Sequence, residues 1–328
     1  MRGNRFSDEY ETLADYIYGI TERIWEGRGV GLIRRYYGAD CLMHTGMGPV
    51  RGVEAVVKGT LETLHAFPDR RLLPEEVIWS DDGAAGLLSS HRNCSVARHA
   101  GSGVFGPATG RPIRVRAIAD CRMEGDMIVE EWLVRDQAGM VRQIGLEPAE
   151  VAARMAGRDA EAGRGPWHLE DSQRFRAGNG TGGAVLQDHP AAAFVREAWD
   201  AIWNRTDLAA IRRFCHEAYG ASAPEGRALH GHAQLDAWVV GYLAAFPDAR
   251  LTFDHSCALE EPSKPVRVAT RFWLSGTHDG HGAFGPPTGA KVLGLGIVHS
   301  EIRDGRIRDE WILLDELALW KQIRLQTG

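Results

Sequence analysis

The 328-residue sequence predicts an α+β fold built twice in tandem. Three observations carry that prediction. Short motifs recur at one fixed spacing. Each copy opens with apolar residues at three- and four-residue steps. Each copy then changes to segments of alternating, β-branched character.

The repeat sets the frame for the rest. Phe67-Pro68-Asp69 returns 179 positions later as Phe246-Pro247-Asp248. At the same offset, Phe105-Gly106-Pro107-Ala108-Thr109-Gly110 returns as Phe284-Gly285-Pro286-Pro287-Thr288-Gly289. Glu131-Trp132 with Asp136 likewise returns as Glu310-Trp311 with Asp315. Nearer the start, Ile24-Trp25 matches Ile202-Trp203, and Ile33-Arg34-Arg35 matches Ile211-Arg212-Arg213, at an offset of 178. Chance does not hold five motifs in register, so the copies are read as residues 8–150 and 190–328. Each is long enough to own a core, which fits a fused pseudo-dimer with room for further homo-oligomerisation. Residues 151–189 read as a linker. Its first part, rich in Ala, Arg and Glu, can extend a helix, while Ala177-Gly178-Asn179-Gly180-Thr181-Gly182-Gly183 suits a flexible chain.

Within copy 1, Leu13, Ile17, Ile20 and Ile24 mark a first helix, and Ile33 a short second one. Val56, Val57, Leu61 and Leu64 mark a third over 53–66, stopped at Phe67 because a residue before proline avoids helical backbone. Strands are expected at 72–80, 85–98, 112–124 and 127–136, and in copy 2 at 250–258, 265–278, 291–303 and 306–315. Phe-Gly-Pro-x-Thr-Gly is a turn between strands, where proline fixes φ and glycine supplies positive φ.

Composition narrows the function. A net charge of −6 disfavours nucleic acid and anionic membrane surfaces as partners. At 44% hydrophobic and 25% charged, the chain is that of an ordinary globular protein, with no apolar run of membrane-spanning length. The polar first residues lack a signal core, so a cytoplasmic location is expected. The five cysteines are widely spaced without a Cys-x-x-Cys pair, which points to buried free thiols. His278 and His281 have no matched carboxylate at ligand spacing, so no metal is expected.

Taken together, three opening helices, Phe-Pro-Asp before the first long strand, Gly-x-x-x-Thr-Gly before the next-to-last, and Glu-x-Trp-x-x-x-Asp-like endings have a family look. The endings read Glu130-Glu131-Trp132-Leu133-Val134-Arg135-Asp136 and Asp309-Glu310-Trp311-Ile312-Leu313-Leu314-Asp315. The sequence thus resembles the SnoaL-like polyketide cyclase (ester cyclase) family of the nuclear transport factor 2-like superfamily, in both copies. The resemblance implies two cone-shaped domains, each a curved, mostly antiparallel sheet wrapped around about three helices. It also implies acid/base catalysis without metal or cofactor. Asp136 and Asp315 match the late-strand aspartate position, and Asp120 and His299 occupy the preceding strand, where family members carry His or Asp.

Read from the residues alone, Asp136 and Asp315 have a second explanation. Each directly precedes a final helix, where Asp is a preferred N-cap. The unmatched residues suggest division of labour. Copy 1 holds more polar candidates for substrate binding (His44, His91 and Asn93 beside Trp132), copy 2 more aromatic ones (Trp203, Trp273 and Trp311). The expected function is a cofactor-independent acid/base enzyme acting on a small carbonyl-containing substrate in an apolar cone. A binding protein without turnover and a scaffold using the outer sheet faces are the alternatives.

Overall fold

The computed structural model describes residues 9–83, 86–177 and 183–328. It divides into two compact units, Met1–Leu146 and Glu147–Gly328. Most of the glycine-rich stretch 177–183 lies outside the described residues.

The first unit opens with α1 (Leu13–Thr21). Thr12 caps it: its hydroxyl accepts from the Asp15 amide while the Asp15 carboxylate accepts from the Thr12 amide. Leu13, Tyr16, Ile17 and Ile20 form its buried face. The helix runs into a π-helical turn, Glu22–Glu26, which carries Trp25. Then come α2 (Ile33–Tyr36), β1 (Tyr37–Thr45), β2 (Val50–Arg51) and α3 (Val53–Ala66). Four long strands follow: β3 (Arg71–Asp81), β4 (Leu87–Arg98), β5 (Pro112–Glu124) and β6 (Met127–Arg135), closed by α4 (Gln137–Gln143). The sheet order is β2-β1-β6-β5-β4-β3, antiparallel except where β1 lies parallel to β6. Cys121, Met123, Val77 and Leu87 share one buried cluster with the α1 residues, so that face of the sheet is the inner one.

The second unit starts with α5 (Pro148–Glu161), α6 (His168–Arg176) and β7 (Val185–Leu186). It continues through α7 (Pro190–Trp199), a second π-helical turn (Asp200–Asn204), α8 (Ala210–Phe214), β8 (Cys215–Ala223), β9 (Arg227–His230) and α9 (Gly231–Ala245). The strands β10 (Arg250–Leu259), β11 (Val266–Thr277), β12 (Lys291–Arg303) and β13 (Arg306–Leu314) and the helix α10 (Glu316–Thr327) complete it. The sheet order is β7-β10-β11-β12-β13-β8-β9.

The α+β architecture and the tandem repeat are as expected, and the long strands fall within a residue or two of their expected bounds. Two readings change. The stretch taken as a linker supplies two helices of the second unit. Ser172 Oγ donates to the Val292 carbonyl at 3.1 Å, the Phe175 ring lies 5.0 Å from that of Trp273, and α5 packs on α10. The strands β1 and β8 went unrecognised, because each is short of apolar alternation and pairs irregularly with its neighbour.

The two Phe-Gly-Pro-x-Thr-Gly segments are turns. Their threonines bond the preceding histidines, His99 to Thr109 at 3.2 Å and His278 to Thr288 at 3.0 Å. Gly110 and Gly289 sit at φ of 70° and 73°, where a side chain is strained. All five cysteines are buried and free.

Candidate active site in the first unit

Strand pairing fixes which residues look into each cone, because a strand alternates faces every residue. Next to the Met123–Leu87 pair the inner face of the first unit carries three further rungs. The deepest joins Glu131, Cys121, Ser89 and Trp79; the next joins Leu133, Ala119, His91 and Val77; the third joins Arg135, Ala117, Asn93 and Pro74. The matching rungs of the second unit are Glu310, Ser300, Val268 and Ala258; Ile312, Val298, Thr270 and Ser256; and Leu314, Gly296, Phe272 and Phe253.

The differences at the second and third rungs bear on access. In the second unit Phe272 lies over Gly296, where an added Cβ would come within 2.2 Å of the ring. Phe272 lies tilted against Trp199, ring centres 5.1 Å apart, and the cluster continues into Trp203, Trp238 and Tyr242. Ile312 and Thr270 there are 0% exposed. In the first unit the corresponding Leu133 and His91, with Ala117, keep part of their surface open, and Arg135 is exposed. The second cone is filled with aromatic rings; the matching positions of the first are smaller or more polar and partly exposed.

His91 is the sharpest case. Its counterpart Thr270 is satisfied by Ser256, oxygen to oxygen at 3.1 Å. In the first unit Ser256 is matched by Val77, which offers nothing, and His91 Nδ1 is buried with no hydrogen-bond partner among the described residues. Such a group in a folded protein asks for an explanation. Burial pushes its titration down to about 4, with Asp120 pulling weakly the other way, so the ring is neutral at pH 7.

Other inner groups are architectural. Tyr37 donates to Glu131 Oε2 at 2.9 Å, and Tyr219 to Glu310 Oε2 at 2.7 Å. Burial raises both carboxyls, and the tyrosines oppose it. The two tyrosines are not at equivalent positions. Copy 1 has Tyr37 with Cys41, whereas copy 2 has Cys215 with Tyr219, the same pair exchanged four residues along. A contact rebuilt from the other end of the strand, in a cone already filled, is one the fold requires.

The family model for SnoaL-like polyketide cyclases matches residues 16–144 and again 193–323. The chain belongs to the SnoaL-like polyketide cyclase family. Similar solved structures include IdmH, a polyketide cyclase candidate from Streptomyces antibioticus: 23% identity, 42% of this chain and all of that one, TM-score 0.36. AclR from Streptomyces galilaeus, a hydroxylase candidate, is 26% identical over 42% of this chain and 84% of that one, TM-score 0.34. TsrD from Streptomyces laurentii is 22% identical over 42% and 98%, TM-score 0.35. No curated protein matches.

Within this SnoaL-like frame the sequence-derived site residues fall into four places. Of these, only His91 and Asn93 lie on the inner face of the first sheet. Trp203 belongs to the aromatic filling of the second cone. The other strand residues lie on the opposite sheet face. Asp120 pairs with Trp132, and Trp132 with His44, one residue out of step with Glu131 and Ala119. His299 pairs with Trp311, and Trp273 also faces away from the cone. The expectation that Trp132, Trp273 and Trp311 wall a pocket is therefore corrected by register: a one-residue step reverses the face. A bulge between Arg122 and Met123 keeps Ile128 inside while Trp132 and Val134 point out. On that outer face His44 stacks on Trp132 at 4.9 Å and bonds Glu130 at 2.8 Å. Burial raises the Glu130 carboxyl, but His44 and Arg122 outweigh it and hold it below its usual range.

Asp136 and Asp315 are N-caps: Oδ1 accepts from the Gly139 amide at 2.9 Å and from the Ala318 amide at 3.2 Å. Asp136→Ala is expected to cost about 1 kcal/mol in urea unfolding, with any rate loss no larger than that explains. A rate loss out of proportion to the stability loss would return Asp136 to catalysis. Among the described residues no cluster of His, Cys, Asp and Glu is placed to hold a metal, and no helix is long and apolar enough to cross a membrane.

Proposed function

We propose that the first unit is a cofactor-independent acid/base site, centred on His91, acting beside the carbonyl of a small substrate. The second unit then serves as its structural partner. The observation that carries this reading is the buried His91 Nδ1 without a hydrogen-bond partner among the described residues, on an inner face whose duplicate is filled and self-satisfied.

The chemistry follows from the groups at hand. A neutral imidazole takes a proton from carbon next to the carbonyl, and the electron pair of that C–H bond moves to the carbonyl oxygen. Asn93, one rung nearer the mouth, offers an amide N–H to the developing enolate. A desolvated imidazolium is costly alone, but the enolate beside it supplies the missing countercharge. The proton returns to the substrate in the product-forming step. Cyclase, isomerase and dehydratase reactions share this opening.

The test is hydrogen–deuterium exchange at the α-carbon of a panel of β-keto esters in heavy water, followed by NMR. Exchange above buffer is expected, falling as pH drops through about 4, where the imidazole binds a solvent proton. Binding of the same compounds with no exchange would favour a carrier without turnover.

The same titration bears on stability. An unfolded histidine titrates near 6.5, and His91 in the fold near 4. Between those values the unfolded chain binds a proton that the folded chain does not, so stability falls as pH drops through that window. The loss amounts to up to roughly 3 kcal/mol. Urea unfolding on either side of the window is expected to show it, and His91→Thr to remove that share of the slope.

A further inference from the structure

The inner glutamate is kept in both copies, but its surroundings are not. In the second unit Glu310 is fully served. Its Oε2 accepts from Tyr219, and its Oε1 accepts from the Trp199 indole at 3.0 Å and from Ser300 Oγ at 2.7 Å. In the first unit Cys121 stands where Ser300 does, and Thr21 where Trp199 does. Among the described residues Glu131 accepts from Tyr37 alone, on Oε2. Its Oε1 accepts nothing, in a residue only 7% exposed.

Ser89 repeats the contrast from the other side. It shares the rung of Glu131 through Cys121, and its counterpart is Val268, which has no polar side-chain atom. Ser89 is 0% exposed, and its Oγ is buried with no hydrogen-bond partner among the described residues. His91, whose Nδ1 is in the same condition, lies two residues along the same strand, about 7 Å away. A carboxylate oxygen and a hydroxyl, both buried and unfilled on either side of one cysteine, ask for a group that donates to the first and accepts from the second. A hydroxyl does both.

We infer that Glu131 Oε1 and Ser89 Oγ form a hydroxyl-binding subsite on the inner face of the first sheet, and that the substrate carries a hydroxyl about 7 Å from the carbon that faces His91. This rests on the proposed use of that face and specifies the far end of the substrate. The Tyr37 bond, kept in both copies, occupies one carboxylate oxygen and leaves the other to the ligand. A substrate without the hydroxyl leaves both protein groups buried and unpaired, which makes the pair selective. In the second unit Trp199 and Ser300 already take that oxygen, and valine replaces the serine, so the subsite belongs to the first unit alone.

The test is calorimetric titration of the whole chain with three ketones. Para-hydroxybenzylacetone carries a hydroxyl at about the required distance from the methylene beside its carbonyl. Benzylacetone lacks the hydroxyl, and para-methoxybenzylacetone keeps the oxygen but not its hydrogen. The hydroxyl compound is expected to bind roughly tenfold or more tightly than either of the others. Ser89→Ala is expected to reduce that preference to about threefold or less and to leave benzylacetone binding unchanged, since a hydroxyl without a partner takes no bond from the fold when it is removed. If that variant fails to fold, Glu131→Gln carries the comparison, because the amide keeps the shape and an oxygen for Tyr37. His91→Thr with Val77→Ser should leave the preference in place. Equal binding of the three ketones, as when an ordered water fills the subsite, overturns it. So does binding of none of them, or a preference that survives in the folded variant. A preference lost in Ser89→Ala, in a protein whose α-proton exchange ignores His91, would sink the proton-transfer reading and leave the subsite standing.

Discussion

His91→Thr, made together with Val77→Ser, is expected to lower α-proton exchange by about a hundredfold to ten-thousandfold, the usual worth of a positioned acid/base group. The pair is chosen because the duplicate already contains it. Thr270 and Ser256 face each other at the same positions and bond at 3.1 Å. Transplanting them supplies each hydroxyl with its partner, so no unsatisfied polar group is created and the fold has no reason to suffer. Thermal unfolding and far-UV circular dichroism should match the parent, while exchange disappears. A single His91→Thr lacks the serine and is the weaker control. If the double variant exchanges at the parental rate, His91 is not the proton carrier. A companion change fills the cone without touching His91: Asn93→Phe with Ala117→Gly copies Phe272 over Gly296. The glycine is required, because a Cβ at that position would meet the ring at 2.2 Å. That variant should lose exchange by exclusion of substrate.

The sequence carried the fold further than the site. Motif spacing located both copies, and period changes located the long strands, because apolar burial writes itself into every turn of a helix and every second residue of a strand. Register does not. Whether Glu131 or Trp132 looks into the cone alongside Ile128 depends on one bulge opposite Met123, and nothing in composition marks that bulge. The Trp-x-x-x-Asp ending is visible as a motif, yet the residue that both copies turn into the cone is the glutamate before the tryptophan, Glu131 and Glu310. Its tyrosine was hidden because the two copies present it from different positions, Tyr37 in one and Tyr219 in the other. Sharing between copies marks what the fold needs, such as the capping aspartates, the turn threonines and the Tyr–Glu contact. Difference between copies marks what one unit does alone.

That division predicts a second large effect, on stability instead of rate. Phe272→Ala is expected to destabilise the second unit by about 3–5 kcal/mol, with exchange at the first unit unchanged per folded molecule. The ring is 2% exposed and lies against Trp199 at 5.1 Å. Across from it stands Gly296, which has no side chain to move into the gap, so the cavity left by truncation stays largely open and the cost sits toward the upper end. Urea unfolding followed by tryptophan fluorescence suits the measurement, because Trp199, Trp203 and Trp238 all sit in the affected cluster. The reverse error, Gly296→Ala, should also destabilise, since the new methyl collides with the same ring. The opposite substitution at the matching site of the first unit, Asn93→Ala, removes little packed surface and should cost rate with little stability. If Phe272→Ala abolished exchange in protein that remains folded, the second cone would be contributing to the reaction, and the assignment of chemistry to one copy and support to the other would be lost.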